Sequence, residues 1–260
     1  MLASLSPARR RLWLAVAALV VLATVAGSVA LVLGRDEPAP PVAQGEVGPV
    51  LLLPGYGGSD AGLEDLAGAL EAEGRTVEVV PPPGDGRGDL RDHAALVAEA
   101  AQAAVAAGAP SVDVVGYSAG GVAARLYVAE LGGDEITRRV LTLASPHHGT
   151  ELAEAAGLAG AGCPEGCQQL QPDSELLAGL NAGDETPSGP EWAALWTEDD
   201  QTVVPPTSGR LDGAVSFGLQ DVCPDLVVSH GEVPSTPAVL RIVVAELDTT
   251  PPAVPGPEVC

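Results

Sequence analysis

The chain contains no lysine, and its twelve basic residues, all arginines, stand against 35 acidic residues, for a formal net charge of −23 over 260 residues. This charge argues against nucleic acid or an anionic membrane surface as a partner. Aromatic residues make up only 3% of the chain, so its core must be packed from aliphatic side chains. The length is nevertheless sufficient for one α/β domain with a sizeable core.

An uncharged stretch, Leu12 to Gly34, follows three arginines at positions 9–11. As a helix it would be roughly 34 Å long, enough to cross a hydrocarbon core of about 30 Å. One interpretation is a signal peptide cleaved after Thr24-Val25-Ala26. We favour an uncleaved signal anchor, because the apolar run continues to Leu33. In both cases the rest of the chain is expected to be extracytoplasmic, either tethered to the membrane by this helix only or secreted.

The remainder of the chain divides into a linker at 35–48, rich in proline and acidic residues, and a domain at 49–260. Apolar, β-branched runs alternate with helical periodicity throughout the domain, which predicts an α/β fold with a doubly wound, mainly parallel sheet of about six strands. Ligands of such sheets bind beyond the carboxyl ends of the strands. Strands are predicted at 49–53, 76–80, 111–115, 139–143, 192–197 and 214–219, and helices at about 63–73, 90–107, 122–131 and 237–247.

The periodicity weakens between Thr150 and Pro190, where short helices and glycine-rich turns are predicted. This excursion separates two core strands. Its composition fits a cap, a lid or a plain surface excursion equally well.

The sequence Gly116-Tyr117-Ser118-Ala119-Gly120 lies between a predicted strand and a predicted helix. This is the arrangement of a nucleophile elbow, in which glycines permit a sharp turn and the serine is held in a strained conformation. The alternative is a glycine-rich turn with a surface serine. The strand and helix on either side favour Ser118 as a catalytic nucleophile.

A serine hydroxyl needs a base, and in this arrangement the acid and then the histidine follow the serine in the chain. His230 follows the last strand and precedes the last helix, which makes it the candidate base. His93 precedes Ser118 and is predicted to be a surface residue of a helix. His147 and His148 follow the next strand and are expected to brace their loop, with substrate contact left open.

The acid should follow the strand before the last one. Asp200 opens an Asp-x-x-Val-Val-Pro turn there and is the first candidate, with Asp199 as the alternative. Asp212 is interpreted as a turn residue. In so acidic a chain, the alternative for each of these aspartates is a solvated surface charge.

An oxyanion requires two fixed N–H donors. Ala119, directly after the nucleophile, and Tyr56, within Pro54-Gly55-Tyr56-Gly57-Gly58, are the predicted donors. Glycines in the second segment would let the backbone rather than side chains face the substrate.

Five motifs occur in order, in the segments at 50–57, 116–121, 145–150, 200–205 and 222–230. They resemble the small bacterial triacylglycerol lipases and esterases of the α/β-hydrolase fold, and some also resemble the yeast lipase B type. The resemblance implies the α/β-hydrolase fold, with Ser118 as nucleophile, Asp200 as acid and His230 as base, and with Tyr56 and Ala119 as oxyanion donors. Many lipases have His-Gly where this chain has Pro54-Gly55, although the lipase B type shares Pro-Gly.

These observations predict an exported serine ester hydrolase that acts through an acyl-enzyme, with an ester or lipid substrate and no metal or organic cofactor. The protein is expected to be a monomer. The alternatives are an acyltransferase that uses the same triad on a lipid or sugar alcohol of the cell envelope, and a catalytically dead hydrolase fold that serves as a binding module.

Four cysteines allow three pairings. Cys163 and Cys167 lie close together in the chain, which favours one bridge between them and a second between Cys223 and Cys260. Four free thiols would be hard to maintain outside the cell.

The excursion from Thr150 to Pro190 contains seven glycines and no aromatic residue. A segment of this composition is a weak anchor for a lipid interface. We therefore expect soluble esters of short to medium chain to be better substrates than emulsified long-chain triacylglycerol, with little interfacial activation.

Overall fold

In a computed structural model, the described residues of the chain are 41–60, 62–158 and 162–260, together with Val16. Apart from Val16, the predicted signal anchor lies outside these ranges, as does the first part of the predicted linker. Within them, no helix has the length and apolar character needed to span a membrane.

The described residues form a sheet of six parallel strands in the order β2-β1-β3-β4-β5-β6. The predicted parallel α/β fold is therefore confirmed. The strands are β1 Val50–Leu53, β2 Val77–Val79, β3 Val112–Tyr117, β4 Thr137–Leu143, β5 Glu191–Trp196 and β6 Val215–Gly218.

Helices cover both faces of this sheet, which is why β1 reads as an uninterrupted apolar run. Leu51 and Leu53 pack on one face with residues of α2 and α3. Val50 and Leu52 pack on the other face with residues of α1 and α8. The helices are α1 Leu63–Ala72, α2 Leu90–Ala106, α3 Ala119–Glu130, α4 Glu151–Leu158, α5 Glu165–Gln169, α6 Glu175–Leu180, α7 Leu219–Val222 and α8 Pro237–Glu246.

Strand β4 begins two residues before its predicted start at Arg139, and both Arg138 and Arg139 are buried. Burial is tolerated because Arg138 pairs with Asp113 of β3 at 2.6 Å. A second arginine, Arg75, pairs with the same carboxylate. Ion pairs between residues far apart in the chain leave no local sequence pattern, so hydropathy placed the strand boundary too late.

His93 is not a surface residue, contrary to the sequence-based prediction. Its side chain is only 2% exposed and faces the core side of α2. The ring Nε2 lies 2.8 Å from the carbonyl oxygen of Val80, which satisfies one ring nitrogen. Burial lowers the pKa of His93, so the neutral form is favoured.

The excursion after β4 forms the three short helices α4, α5 and α6 before the chain re-enters the sheet as β5. Its helices α4 and α5 contribute to a cleft that also includes Ser118. The excursion therefore lies at the carboxyl edge of the sheet, where ligands of parallel sheets bind.

Candidate active site

Ser118 stands between β3 and α3 with φ 53° and ψ −124°, a strained backbone conformation for a residue with a side chain. Glycines allow the close backbone approaches around it: a Cβ on Gly120 would collide with the carbonyl oxygen of Leu53. A Cβ on Gly116 would likewise lie 2.5 Å from the Cα of Gly121. The local structure is thus the predicted elbow, and it holds the Ser118 side chain at the carboxyl edge of the sheet.

The structure brings Ser118, His230 and Asp200 into a hydrogen-bonded chain. The Nε2 atom of His230 lies 3.0 Å from Ser118 Oγ, and its Nδ1 atom lies 2.7 Å from Asp200 Oδ2. An ionised carboxylate only accepts hydrogen bonds, so Nδ1–H donates to Asp200. In the neutral imidazole, Nε2 is then left to accept the Ser118 hydroxyl proton.

Asp200 is held in place by its own turn. Its Oδ1 atom accepts the backbone N–H groups of Thr202 and Val203, each at 2.8 Å. These two bonds fix the carboxylate and leave Oδ2 for the imidazole. The Asp-x-x-Val-Val-Pro pattern places such donors two and three residues after the aspartate.

Asp199, the alternative acid, contacts a different part of the site. Its Oδ2 atom accepts the backbone N–H of Val228 at 3.2 Å and the side-chain amide of Gln220 at 2.9 Å. Thr197 Oγ1 donates to the carbonyl oxygen of Val228 at 2.8 Å. The residues that follow β5 therefore hold Val228, two residues before His230, through both its backbone N–H and its carbonyl.

Tyr117 also supports His230, which sequence reasoning missed. Its hydroxyl donates to the backbone carbonyl of His230 at 3.0 Å, and the two rings lie 5.2 Å apart. Burial, with a smaller contribution from the Asp200 charge, raises the pKa of Tyr117, so the phenol stays a neutral donor. The residue occupies a variable position of the elbow motif, which carries no signal for this role.

The two predicted oxyanion residues flank the nucleophile. Ala119 is the first residue of α3, where backbone N–H groups have no partner within the helix. Tyr56 lies in the loop after β1, which packs against Ser118: a Cβ on Gly55 would be 3.0 Å from Ser118 Cβ and 3.5 Å from its Oγ. The loop thus presents backbone to the hydroxyl.

His147 and His148 brace the loop after β4. His147 is fully buried, its Nε2 lies 3.0 Å from Thr142 Oγ1, and burial holds its pKa well below the usual range. His148 Nε2 lies 3.0 Å from Glu185 Oε1. Asp212 lies in an exposed turn, and its backbone N–H donates to the same glutamate.

Ser118 lines a cleft of about 290 Å³, which lies between the loop after β1 and the excursion. Leu152 of α4, which lines the cleft, is strongly exposed at 53%, and Leu158 at the end of the same helix is exposed at 83%. The walls are mainly apolar and small. They are formed by Tyr56, Arg87, Pro146, Thr150, Leu152, Ala153, Ala156, Gly162, Pro164, Cys167, Leu170, Thr202 and Val203.

Both predicted disulfides are present. Cys163–Cys167 joins the segment before α5 to that helix beside the cleft, and Cys223–Cys260 joins the end of α7 to the chain end. Within the described ranges, no three or more His, Cys, Asp or Glu side chains are grouped so that they could hold a metal ion.

Residues 100–218 match a lipase family, lipase (class 2). The chain is similar to the class 2 lipases. Its fold is that of Aspergillus fumigatus lipase B, with TM-score 0.67 and 19% identity over 81% of this chain and 55% of that one. The mature Bacillus licheniformis lipase BlEst2 superposes with TM-score 0.65 and 17% identity over 82% and 95% of the two chains.

A chain from the structural work on LipS and LipT, two metagenome-derived lipolytic enzymes, shares the fold too, with TM-score 0.58 and 16% identity over 80% of this chain and 99% of that one. No curated protein gives a significant match. This chain spans only about half of Aspergillus lipase B. Together, the family match and the α/β-hydrolase fold support a lipolytic hydrolase.

Proposed function

We propose that the protein is an exported serine ester hydrolase that acts through a Ser118–His230–Asp200 triad. One observation carries the proposal: the hydroxyl, imidazole and carboxylate form an unbroken chain at 3.0 and 2.7 Å, at the edge of a cleft. Only 12% of the His230 side chain and 1% of the Asp200 side chain are exposed, so little water competes for these bonds.

Acylation begins when His230 Nε2 accepts the Ser118 proton and Oγ attacks the ester carbonyl carbon. The carbonyl oxygen becomes an oxyanion, which the backbone N–H groups of Tyr56 and Ala119 stabilise. The imidazolium is stabilised by Asp200. It then donates its proton to the departing alkoxide, and the alcohol leaves an acyl group on Ser118.

Water completes the cycle. His230 Nε2 takes a proton from the water as its oxygen attacks the acyl carbon, and a second oxyanion forms at the same two donors. The tetrahedral intermediate collapses, Ser118 Oγ recovers its proton from His230, and the carboxylic acid leaves.

We propose that the substrates are soluble esters of short to medium chain. The cleft, at about 290 Å³, is at the lower limit of pockets that bind drug-sized ligands. Leu152 and Leu158 of α4 expose some apolar surface. The excursion contains no aromatic residue that would enlarge this apolar surface. A steep rise in rate above the solubility limit of a long-chain ester would contradict this proposal.

Export is supported by the uncharged segment at 12–34 and by the pairing of all four cysteines in disulfides, which persist in oxidising compartments. We propose that the catalytic domain faces the outside of the cell.

The test is hydrolysis of p-nitrophenyl butyrate by the wild type and by Ser118→Ala. Removing the nucleophile should lower kcat by about 10⁶. Ser235→Ala is the matched control, because this hydroxyl lies in the same 3₁₀ segment as His230 and, within the described part of the chain, bonds only to the Glu232 carbonyl at 3.3 Å. Equal activity of all three proteins would exclude Ser118 as the nucleophile. A transfer product that exceeds hydrolysis when glycerol is added would favour the acyltransferase alternative.

A further inference from the structure

Eight arginines lie in the described residues, and seven of them have guanidinium partners within the protein. Arg87 is the exception: within the described chain, its guanidinium contact is the face of the Tyr56 ring, at 5.9 Å from the centroid. The other seven pair with Asp113 (Arg75, Arg138), Glu130 (Arg91), Glu191 (Arg139) and Asp212 (Arg210), or donate to backbone carbonyls (Arg125, Arg241).

The backbone at Arg87 is fixed on two sides. On one side, the N–H of Gly57 donates to the carbonyl of Gly86 at 2.9 Å. Gly57 belongs to the loop after β1, residues 54–58, which contains Tyr56 and is called the oxyanion loop below. On the other, the N–H of Gly166 in α5 donates to the carbonyl of Arg87 itself at 3.0 Å. A Cβ on Gly166 would lie 2.6 Å from the carbonyl oxygen of Gly88, so these backbones are in direct contact. Arg87 is therefore built into the cleft wall between the oxyanion loop and the excursion.

Among the described residues that line this cleft, Arg87 is the one with a charged side chain. The neighbouring carboxylate of Asp85 is engaged by the backbone N–H of Arg87 at 3.2 Å. Burial raises the pKa of the Tyr56 hydroxyl, the Arg87 charge opposes this rise, and Asp85 adds to it. The charge of Arg87 thus acts on Tyr56, the residue proposed as an oxyanion donor.

We propose that Arg87 is a specificity-determining residue that binds a carboxylate or phosphate on the substrate, so that the preferred substrates are anionic carboxylic esters. The proposal rests on ester hydrolysis at Ser118. A guanidinium presents a planar fork of donors that matches both anions. Here the guanidinium is exposed and, among the described residues, no carboxylate pairs with it. In a chain where every other described arginine has a partner, a cation at this position is explained by an external anion.

The test compares kcat/KM within two pairs of esters. In the first pair the anion is on the acyl side: the p-nitrophenyl monoester of adipic acid against p-nitrophenyl hexanoate, which has the same number of acyl carbons. In the second pair it is on the alcohol side: 4-carboxyphenyl butyrate against 4-carbamoylphenyl butyrate. An ionic strength of about 0.15 M screens the distant acidic surface beyond roughly 8 Å.

Arg87→Gln should lower the ratio of kcat/KM for the anionic ester to that for the neutral ester by about fivefold in at least one pair. Arg87→Lys keeps the charge but loses the fork, and should retain part of the ratio. Asp85→Asn keeps an acceptor for the Arg87 N–H while removing a competing charge, so it should raise the ratio. Arg91→Gln, which breaks an exposed pair with Glu130 outside the cleft, is the matched control and should leave the ratio unchanged.

The pair that responds identifies the side of the ester that carries the anion. Unchanged ratios in both pairs for Arg87→Gln would overturn the proposal. So would an equal loss on the anionic and neutral esters, because Arg87 would then only support the Tyr56 loop. If the wild type hydrolyses none of the four esters, ester hydrolysis itself is wrong; activity on the neutral esters with unresponsive ratios refutes the role of Arg87 alone.

Discussion

Two buried aspartates have different partners at the two ends of the sheet. Asp200 lies beyond the carboxyl end of β5, and Asp113 lies near the amino end of β3. Asp200 accepts two backbone N–H groups and one imidazole. Among the described residues, the side chain of Asp113 accepts hydrogen bonds from cations alone: from Arg138 through Nε at 2.9 Å and a terminal nitrogen at 2.6 Å, and from Arg75 at 2.5 Å. An imidazole can exchange its proton near neutral pH, whereas a guanidinium cannot.

The arginines at the amino end also hold chain segments together. Arg138 donates to the carbonyl oxygens of Leu247 and Asp248 after α8, at 2.6 and 2.9 Å, and to that of Gln44 before β1, at 3.2 Å. The guanidinium charge of Arg138 thus joins the segments before β1 and after α8 to the sheet. The carboxyl end instead holds the hydroxyl of Ser118, which lines a cleft, next to the imidazole of His230. We infer that the first arrangement stabilises the fold and the second performs chemistry.

The same substitution at the two ends should separate these roles. Asp200→Asn should lower kcat by about 10⁴, because an amide cannot stabilise the imidazolium or select the tautomer that lets Nε2 accept the Ser118 proton. Its free energy of unfolding should change less than that of Asp113→Asn. Steady-state hydrolysis of p-nitrophenyl butyrate and urea unfolding provide the two values.

Asp199→Asn is the control for this prediction. The amide oxygen can still accept the Val228 N–H, so kcat should fall by less than about tenfold. A larger loss of kcat for Asp199→Asn than for Asp200→Asn would move the acid to Asp199.

Asp113→Asn should have the opposite profile. It leaves the buried guanidinium of Arg138 and the half-buried one of Arg75 without a counter-charge, so the free energy of unfolding should fall by about 3–5 kcal/mol. The folded fraction should keep its kcat within about twofold, since Asp113 lies at the other end of the sheet from Ser118. Arg75→Gln, which removes one partner and keeps Arg138, should be milder. A loss of kcat without a loss of stability would show that the two ends are not separate.

The smallest expected effect is at Glu246, beside the amino-end arginines. Burial raises its pKa to about 7, although Arg139 lies near it, and one carboxylate oxygen has no partner within the described residues. Because the folded state holds this proton more tightly than the unfolded state, ionisation costs stability as pH rises from about 4.5 to 7. Glu246→Gln should therefore stabilise at pH 8 on the order of 1 kcal/mol, after allowance for solvent screening, and less at pH 5. Equal differences at both pH values would contradict this.

Features with a local pattern could be predicted from the sequence. The periodicity of α2 places it at 90–107, against Leu90–Ala106 in the structure, and the elbow glycines correctly indicate the turn at Ser118. The order of residues in the chain predicts Asp200 and His230 as the partners of Ser118, and in the structure His230 contacts Ser118 while Asp200 contacts His230.

Features that depend on distant contacts could not be predicted. The Asp113 ion pairs join residues 25 and 38 positions apart, and the bond from Tyr117 to His230 spans 113 positions. The polar side chain of His93 favoured a surface position in the sequence. In the structure it is buried, and its ring nitrogen forms a hydrogen bond with the carbonyl oxygen of Val80. In each case the partner is supplied by the tertiary fold.

The most direct measurement of the central claim is the position of a fluorophosphonate adduct, mapped by peptide mass spectrometry on the wild type and on Asp200→Asn. Only an activated serine reacts quickly with such a probe. We predict one adduct, on Ser118, and a much slower reaction of Asp200→Asn at the same residue. An adduct on another serine, or equal labelling rates of the two proteins, would contradict the triad.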